Sequence, residues 1–182
     1  NLDGAFAEYM RAPAAAVRQG NLMPVRDGVD AAVAALTEPF ACVLRGQNAV
    51  DVRDGDVVLV MGAGPIGVMH MLLARLRGAL RVIVSEPSAA RRAQALALGA
   101  DRVVDPLAAN GTGDALREAV MEESDGRGAD VIVVAAPSKV AQESALQVAS
   151  IGGRINFFGG LPKQDPFIRF DSNLVHYKEL VV

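Results

Sequence analysis

The segment DVVLVMGAGPIGVMHMLLARL, residues 56–76, constrains the fold more than any other part of the chain. The unbroken apolar run Val57–Met61 predicts a strand buried on both faces, because a half-exposed strand would alternate with polar residues. Three glycines follow at Gly62, Gly64 and Gly67, and a helical apolar rhythm resumes after them. A strand that passes through glycines directly into a helix is the start of a βαβ unit.

The alternation of strand and helix continues along the chain. The strand candidates are 57–61, 81–85, 102–104, 130–134, 154–158 and 179–182. Between them, helices are predicted to begin near four residues, three of which are helix-capping types: Pro65, Ser88, Thr112 and Ser138. The first two helices end at Gly78 and Gly99, since glycine tolerates the left-handed conformation that closes a helix. This order predicts an α/β fold with a parallel six-stranded sheet and helices on both faces.

Two further elements are predicted before residue 56. Residues 4–13, GAFAEYMRAP, alternate enough between apolar and polar types to form a strand. Residues 31–50 have helical spacing on both sides of Pro39. The proline ring favours either a break in the helix or a first helical turn at that point.

The three glycines fit the G-x-G-x-x-G pattern between a strand and a helix. Gly62 permits a tight turn, Gly64 has no Cβ and lets a pyrophosphate approach the backbone, and Gly67 lets the helix lie close to the strand. The N–H groups at the helix start would then hold the phosphate charge. Glu86 ends the second predicted strand 24 positions after Gly62, where this pattern places a carboxylate on the adenine ribose. The alternative is that Glu86 is only a solvated charge, but the joint pattern favours dinucleotide binding.

Glu86 also indicates which dinucleotide is bound. A carboxylate there accepts hydrogen bonds from both ribose hydroxyls and repels a 2′-phosphate, so we expect NAD rather than NADP. Arg91 and Arg92 on the following helix argue the other way, since they could face a phosphate. They could equally be exposed helix charges, or Arg91 could pack over the adenine.

Composition excludes several classes of protein. A net charge of −3 and a pI of about 5.4 give no electrostatic reason to bind nucleic acid or an anionic membrane. No apolar run approaches the length of a membrane span, and the single cysteine, Cys42, favours a reducing compartment, so we expect a cytoplasmic protein. The chain lacks an initiator Met and stops inside the apolar ending HYKELVV, so we expect both ends to be cut from a longer protein.

A set of motifs in a fixed order resembles one known family: DGAFAEYM, LTEPFAC, VLVMGAGPIG, ALGADRVVDP, GGRINFFGG and SNLVHYKEL. Together they are similar to the zinc-dependent medium-chain dehydrogenase/reductase superfamily, in its polyol (sorbitol-like) and threonine dehydrogenase branch. The resemblance implies a catalytic domain followed by a Rossmann domain with a doubly wound sheet. Residues 1–48 would be the remnant of the catalytic domain with its connecting helices. Residues 49–182 would be the NAD-binding Rossmann domain, truncated at its C-terminus.

The resemblance also implies where the nicotinamide half of NAD lies. Residues Ala135–Pro137 match the segment beneath the nicotinamide ribose, and Phe158–Gly160 match the backbone stretch near the nicotinamide ring. Because AAPS departs from the family's usual sequence there, we expect backbone contacts only. The complete predicted cofactor set is Gly62, Gly64, Pro65, Ile66, Gly67, Glu86, Arg91, Ala135, Ala136, Pro137, Phe158, Gly159 and Gly160.

For the metal, the resemblance implies that Glu38 in TEPFAC belongs to the catalytic zinc site of the intact enzyme. The alternative is an ordinary first-turn glutamate that the helix dipole favours. Catalytic zinc takes three protein ligands, whereas Cys42, His70 and His176 show no paired ligand spacing. We interpret Cys42 as a small buried thiol and His70 as a helix-packing or surface residue. We therefore expect zinc to be absent from this part of the enzyme, no catalytic residue within it, and no activity of the isolated chain.

The activity implied for the intact enzyme is hydride transfer from a small-molecule alcohol, of polyol or sugar type, to nicotinamide, with zinc polarising the hydroxyl. The segment 166–182 resembles the family's dimer segment, which predicts a homo-oligomer; the alternative is an ordinary surface loop and edge strand. Two other functions stay open. One is a zinc-free quinone or enoyl reductase of the same superfamily, and the other is a non-enzymatic NAD-binding module.

Overall fold

The computed structural model describes residue 4 and residues 7–108 and 114–182. The chain divides into two compact units, Asn1–Thr37 and Glu38–Val182. The first unit contains two short helices, α1 (Ala14–Arg18) and α2 (Ala31–Ala34). Asp30 caps α2, since its side chain accepts a hydrogen bond from the N–H of Ala32 at 2.7 Å. The predicted domain boundary after residue 48 stays a prediction about the longer protein.

The strand predicted over residues 4–13 is wrong for its described part. Residues 7–13 form no strand, and most of their side chains are exposed. Alternation alone does not make a strand, because the backbone groups need a partner strand and these residues have none among the described residues. Ala5 and Phe6 of this segment, and Asp3 of the motif DGAFAEYM, lie outside the described residues.

The second unit is built on five strands and six helices within the described residues. Helix α3 (Thr37–Ala49) runs through Pro39, which lies in its first turn, where the missing N–H of proline costs no helical hydrogen bond. The strands are β1 (Val57–Met61), β2 (Arg81–Ser85), β3 (Arg102–Val104), β4 (Ala129–Val134) and β5 (Ala149–Asn156). The other helices are α4 (Pro65–Leu76), α5 (Ala89–Ala97), α6 (Asp114–Glu123), α7 (Lys139–Val148) and α8 (Ser172–Tyr177).

The five strands form one parallel sheet in the order β3-β2-β1-β4-β5. The first three strands have the predicted bounds, and β4 begins one residue earlier than predicted. Strand β5 begins at Ala149 rather than Arg154 and ends at Asn156 rather than Phe158. Its first half was missed because Gly152 and Gly153 interrupt the apolar pattern there, and the ladder is irregular at the same end.

The sixth predicted strand is reduced to a single bridge. Val181 pairs in parallel with Arg154, with hydrogen bonds from the N–H of Ile155 to Val181 O (2.7 Å) and from the N–H of Val181 to Gly153 O (3.0 Å). The described residues therefore form a five-stranded sheet, and the predicted number of six strands is too high by one. The bridge lies on the outer side of β5, which is where a sixth strand of the doubly wound order would add.

The helix boundaries follow the predicted signals. Ser138 caps α7 by accepting a hydrogen bond from the N–H of Ala141, and Ser88 is the N-cap residue of α5 without a side-chain bond. Thr112, predicted to begin a helix, lies outside the described residues. Gly78 and Gly99 follow α4 and α5 with φ values of +86° and +104°, as the predicted left-handed helix endings require.

The core has one layer on each face of the sheet. On one face Leu59 of β1 packs in a cluster with Val120 of α6 and Leu146 of α7. On the other face Val60 of β1 packs with Met71 of α4 and with an alanine of α5. Every residue of β1 is buried because helices cover both faces, which confirms the predicted doubly wound α/β fold.

Candidate functional site

The turn between β1 and α4 shows why each glycine occupies its position. Gly62 has φ +106°, which other residues rarely adopt, and its N–H donates to Ser85 O at 2.7 Å. A Cβ on Gly67 would overlap the carbonyl oxygen of Gly62 and lie 2.8 Å from its carbonyl carbon. Both positions therefore require glycine for the chain itself to fold this way.

Gly64 is different, because no described residue would collide with a side chain there. Its φ is −69°, which any residue can adopt, and no atom lies within 4 Å of a Cβ built on it. Gly64 is also the N-cap of α4, and no side chain accepts a hydrogen bond from the first turn of that helix. The open space next to an uncapped helix N-terminus, at Pro65, Ile66 and Gly67, fits a dinucleotide pyrophosphate.

Glu86 follows β2 and is only 5% exposed, so the interpretation as a solvated charge is wrong. Its Oε2 accepts a hydrogen bond from the N–H of Ala63 at 2.8 Å, and its Oε1 accepts one from the N–H of Ser88 at 2.9 Å. The carboxylate thus holds the glycine turn against the end of β2. Each oxygen keeps lone-pair capacity for a ribose hydroxyl, since a carboxylate offers about four acceptor sites.

The two arginines of α5 have separate roles. Arg92 is committed to the protein, because its Nη1 donates to the carbonyl oxygens of Glu86 and Pro87 at 2.7 Å and pairs with Asp105 at 3.1 Å. Arg91 is exposed and makes no ion pair with a described residue. Of these two described arginines, Arg91 is therefore the one that could reach a ligand near the end of β2.

The ends of three strands come together at one edge of the sheet. A Cβ on Gly62 would lie 3.2 Å from the Cβ of Ala136, which follows β4. A Cβ on Gly159, which follows β5, would lie 2.9 Å from the carbonyl carbon and oxygen of Ala136. The predicted segments Ala135–Pro137 and Phe158–Gly160 are thus adjacent to the glycine turn. This edge lies between β1 and β4, the point where the strand order reverses and where open α/β sheets bind ligands.

A cavity of about 220 Å³ opens at this edge. Gly62 and Ala136 line it, as the sequence predicted. Leu107, Ser138 and Ser144 line it too and were not predicted as site residues. Their one signal in the sequence is position: Leu107 and Ser138 follow the carboxyl ends of β3 and β4, and Ser144 lies two turns into the next helix.

Phe158 packs against a buried histidine, His70. The rings of His70 and Phe158 meet edge to face with centroids 4.7 Å apart. His70 is fully buried, and neither ring nitrogen has a hydrogen-bond partner among the described residues. Burial penalises the charged ring and lowers its pKa from 6.5 to about 4. Of the two interpretations of His70, the packing role is confirmed.

The predicted metal residues lie on α3. Cys42 Sγ donates to Glu38 Oε1 at 3.4 Å, and this carboxylate raises the pKa of the thiol. Cys42 is exposed, so the buried-thiol interpretation is wrong: Val43 and Gln47 form the buried face of α3, and Cys42 lies outside it. Among the described residues no three His, Cys, Asp or Glu side chains form a group that could hold a metal ion. No reaction step through zinc is therefore assigned to these residues.

The predicted dimer segment contains a helix. Residues 172–177 form α8, which Asp171 caps by accepting hydrogen bonds from the N–H groups of Asn173 and Leu174. Phe167, before this helix, and Tyr177, its last residue, are strongly exposed. Within the described part of the chain, no helix has the length and apolar character needed to cross a membrane.

The strand order and the glycine turn at its switch point define a Rossmann-type domain. The family model described as zinc-binding dehydrogenase matches residues 65–182, and the chain belongs to this family. An L-threonine 3-dehydrogenase from Pyrococcus horikoshii is 35% identical over 186 residues, covering 99% of this chain and 48% of that protein. A scyllo-inosose 3-dehydrogenase from Thermotoga maritima is 39% identical over 142 residues, covering 74% of this chain and 34% of that protein.

Among solved structures, a Sinorhizobium meliloti protein described as a zinc-binding dehydrogenase bound to NADP superposes with a TM-score of 0.73. It is 30% identical, and the match covers 81% of this chain and 42% of that one. The chain spans about half the length of the first curated relatives that it matches. It corresponds to their C-terminal, cofactor-binding part.

Proposed function

We propose that this chain is the NAD-binding part of a zinc-dependent dehydrogenase that transfers hydride between a secondary alcohol and nicotinamide. The observation that carries the proposal is the open, uncapped start of α4 at Gly64, next to the buried carboxylate of Glu86. One feature accommodates a phosphate pair and the other accepts hydrogen bonds from a ribose. Both lie at the carboxyl edge of the sheet, at the ends of β1 and β2, beside the switch point between β1 and β4.

In this proposal the chain binds and orients the cofactor. The first-turn N–H groups of α4 hold the pyrophosphate, and the Glu86 carboxylate accepts hydrogen bonds from the hydroxyls of the adenine ribose. Ala135–Pro137 and Phe158–Gly160 contact the nicotinamide half through their backbones. The bound nicotinamide supplies the hydride-accepting carbon, while the protein supplies its position.

The choice of NAD over NADP rests on Glu86. In this proposal its charge would face an entering 2′-phosphate, and of the two arginines described on α5 it is the exposed Arg91 that could compensate. The Sinorhizobium neighbour is bound to NADP, so a similar protein takes the phosphorylated cofactor. The preference for NAD over NADP is therefore the property that the experiment has to test.

The substrate, the metal and the assembly belong to the longer protein. The Thermotoga and Pyrococcus relatives, named for scyllo-inosose and threonine, support a substrate with neighbouring polar groups, and we favour a polyol or sugar-type alcohol. Glu38 would belong to the zinc site of the intact enzyme, and this chain alone would be inactive. We further propose a cytoplasmic homo-oligomer that associates through residues 166–182.

The test is calorimetric titration of the purified chain with NAD⁺ and NADP⁺. We expect the wild type to bind NAD⁺ at least about tenfold more tightly, a difference of about 1.4 kcal/mol. Glu86→Gln keeps the side-chain size and one acceptor oxygen but removes the charge, so NADP⁺ should gain relative to NAD⁺. Glu122→Gln, an exposed carboxylate paired with Arg102, is the matched control and should leave both affinities unchanged.

Two results would contradict the proposal. If a folded wild-type chain binds neither dinucleotide, the open start of α4 is not a cofactor site. If the wild type binds NADP⁺ as tightly as NAD⁺ and Glu86→Gln changes nothing, the site stands but Glu86 does not select the cofactor.

A further inference from the structure

The backbone of Gly159 lies directly on the end of β4. A Cβ there would come within 2.9 Å of the Ala136 carbonyl, so the two segments are in close contact. The N–H of Gly159 donates to Val134 O at 2.8 Å, which continues the pairing of the strands for one more step. Any residue could make that bond through its backbone.

The carbonyl of Gly159 is held by a side chain. Gln142 of α7 donates from Nε2 to Gly159 O at 3.0 Å, across 17 positions of sequence. Gln142 is only 5% exposed, so water competes little for this bond. Unlike the bond to Val134, it depends on the identity of one residue.

The other contacts of α7 with the loop after β5 are exposed. The Lys139 ammonium pairs with the Asp165 carboxylate, and Glu143 Oε1 accepts from the N–H of Arg169 at 2.8 Å. Lys139, Gln142 and Glu143 lie on one face of α7, at spacings of three and four residues. An exposed ion pair contributes little, and water competes for the exposed hydrogen bond to Glu143, which leaves the buried Gln142 as the main side-chain anchor of this loop.

We propose that Gln142 is a positioning residue for the nicotinamide half of the cofactor. By holding the Gly159 carbonyl, it fixes the backbone of Phe158–Gly160 beside Ala136. Among the described residues its side chain makes no hydrogen bond to the glycine turn or to Glu86, so we expect the adenosine half not to depend on it. This inference rests on the proposed function, in which Phe158–Gly160 contacts nicotinamide.

The two halves of the cofactor can be tested separately. ADP-ribose contains the adenosine and pyrophosphate but not the nicotinamide, so it probes only the α4 and Glu86 side of the site. Gln142→Met removes the donor and keeps the side-chain length. We expect it to weaken NADH binding about three- to tenfold, the range for one lost hydrogen bond, and to change ADP-ribose binding less than about twofold.

A control and a second variant make the result specific. Gln147→Met is the same substitution at an exposed position of the same helix and should change neither affinity. Gly159→Ala leaves Gln142 intact but pushes the segment away from Ala136, so it should reproduce the selective loss of NADH binding. Hydrogen exchange should also accelerate in residues 157–163 of Gln142→Met and stay unchanged in β1 and α4.

Each remaining outcome overturns the inference. Equal binding of NADH by wild type and Gln142→Met, with the cofactor site intact, removes Gln142 from any positioning role. Parallel losses of NADH and ADP-ribose binding would mean a general structural role. If the folded wild type binds neither ligand, the proposed function itself fails, and the inference fails with it.

Discussion

His70 should make this domain sensitive to acid, and the size of the effect follows from its burial. The ring is fully buried beside Phe158, no charged group contributes to its lowered pKa, and both nitrogens lack partners among the described residues. In the unfolded chain the same ring has its ordinary pKa of 6.5. Between pH 6.5 and about 4 the unfolded state therefore binds a proton that the folded state does not.

The sign and magnitude follow from this difference. Because the folded-state pKa is depressed, stability is retained above pH 6.5 and falls as the pH is lowered toward 4. The difference between 6.5 and about 4 corresponds to about 3 kcal/mol of unfolding free energy, at about 1.4 kcal/mol per pKa unit. By pH ~5 roughly 2 kcal/mol of this should already be lost.

The assay compares urea unfolding of wild type and His70→Leu at pH ~7.5 and ~5. Leucine fills the apolar site with a non-titrating side chain, so the variant should lose about 2 kcal/mol less than the wild type over this interval. Carboxylates that titrate in acid, such as Asp51 with its pKa lowered by Arg53, act in both proteins and cancel in the comparison. The chain has only two histidines, so NMR titration of the rings gives the His70 pKa directly. Parallel stability profiles, or a His70 ring that titrates near 6.5, would refute the reasoning.

Two further predictions separate folding from binding. Gly67→Ala should destabilise the domain strongly, because the new Cβ would overlap a carbonyl oxygen of the turn. Gly64→Ala should leave the melting temperature unchanged and weaken NADH binding. A Gly64→Ala chain that binds NADH normally would contradict the assignment of the phosphate site. Arg154→Met should cost about 3 kcal/mol of unfolding free energy, because it leaves the buried Asp56 carboxylate without the guanidinium 2.7 Å away. Asp56→Asn with Arg154→Met should restore part of that loss in urea unfolding, and additive losses would mean that the pair is not coupled.

Local sequence signals predicted the elements that end where a continuous apolar run meets a glycine or a cap. Strand β1 ends directly before Gly62, and α5 and α7 begin at the predicted serines. Strands β2 and β3 also have the predicted bounds, because their apolar runs stop at Glu86 and Asp105. The same signals failed where a local pattern lacked a partner or was interrupted. Residues 7–13 alternate without pairing, and the Gly152–Gly153 pair concealed the start of β5.

The candidate site was predictable at the glycine turn and at Glu86, because both lie in one strand–turn–helix–strand sequence. The contacts that support it were not. His70 contacts Phe158 across 88 positions of sequence. Gln142 contacts Gly159 only because β5, which follows α7 in the chain, runs back along that helix. Such contacts depend on helix packing and strand register. Periodicity gives the face of a helix but not the residue that lies opposite it.

The glycine turn gives the clearest separation between what the fold needs and what a ligand needs. Gly62 has a backbone conformation that favours glycine, and Gly67 has no room for a Cβ, so folding alone accounts for both. Gly64 has an ordinary φ and open space around it, so the side chain of an alanine would meet no described atom there. No described residue explains the missing side chain at Gly64, which supports the proposal that a group outside the chain approaches this backbone closely. A pyrophosphate at the start of α4 is that kind of group, and the Glu86 carboxylate at the neighbouring strand end is placed for the ribose attached to it.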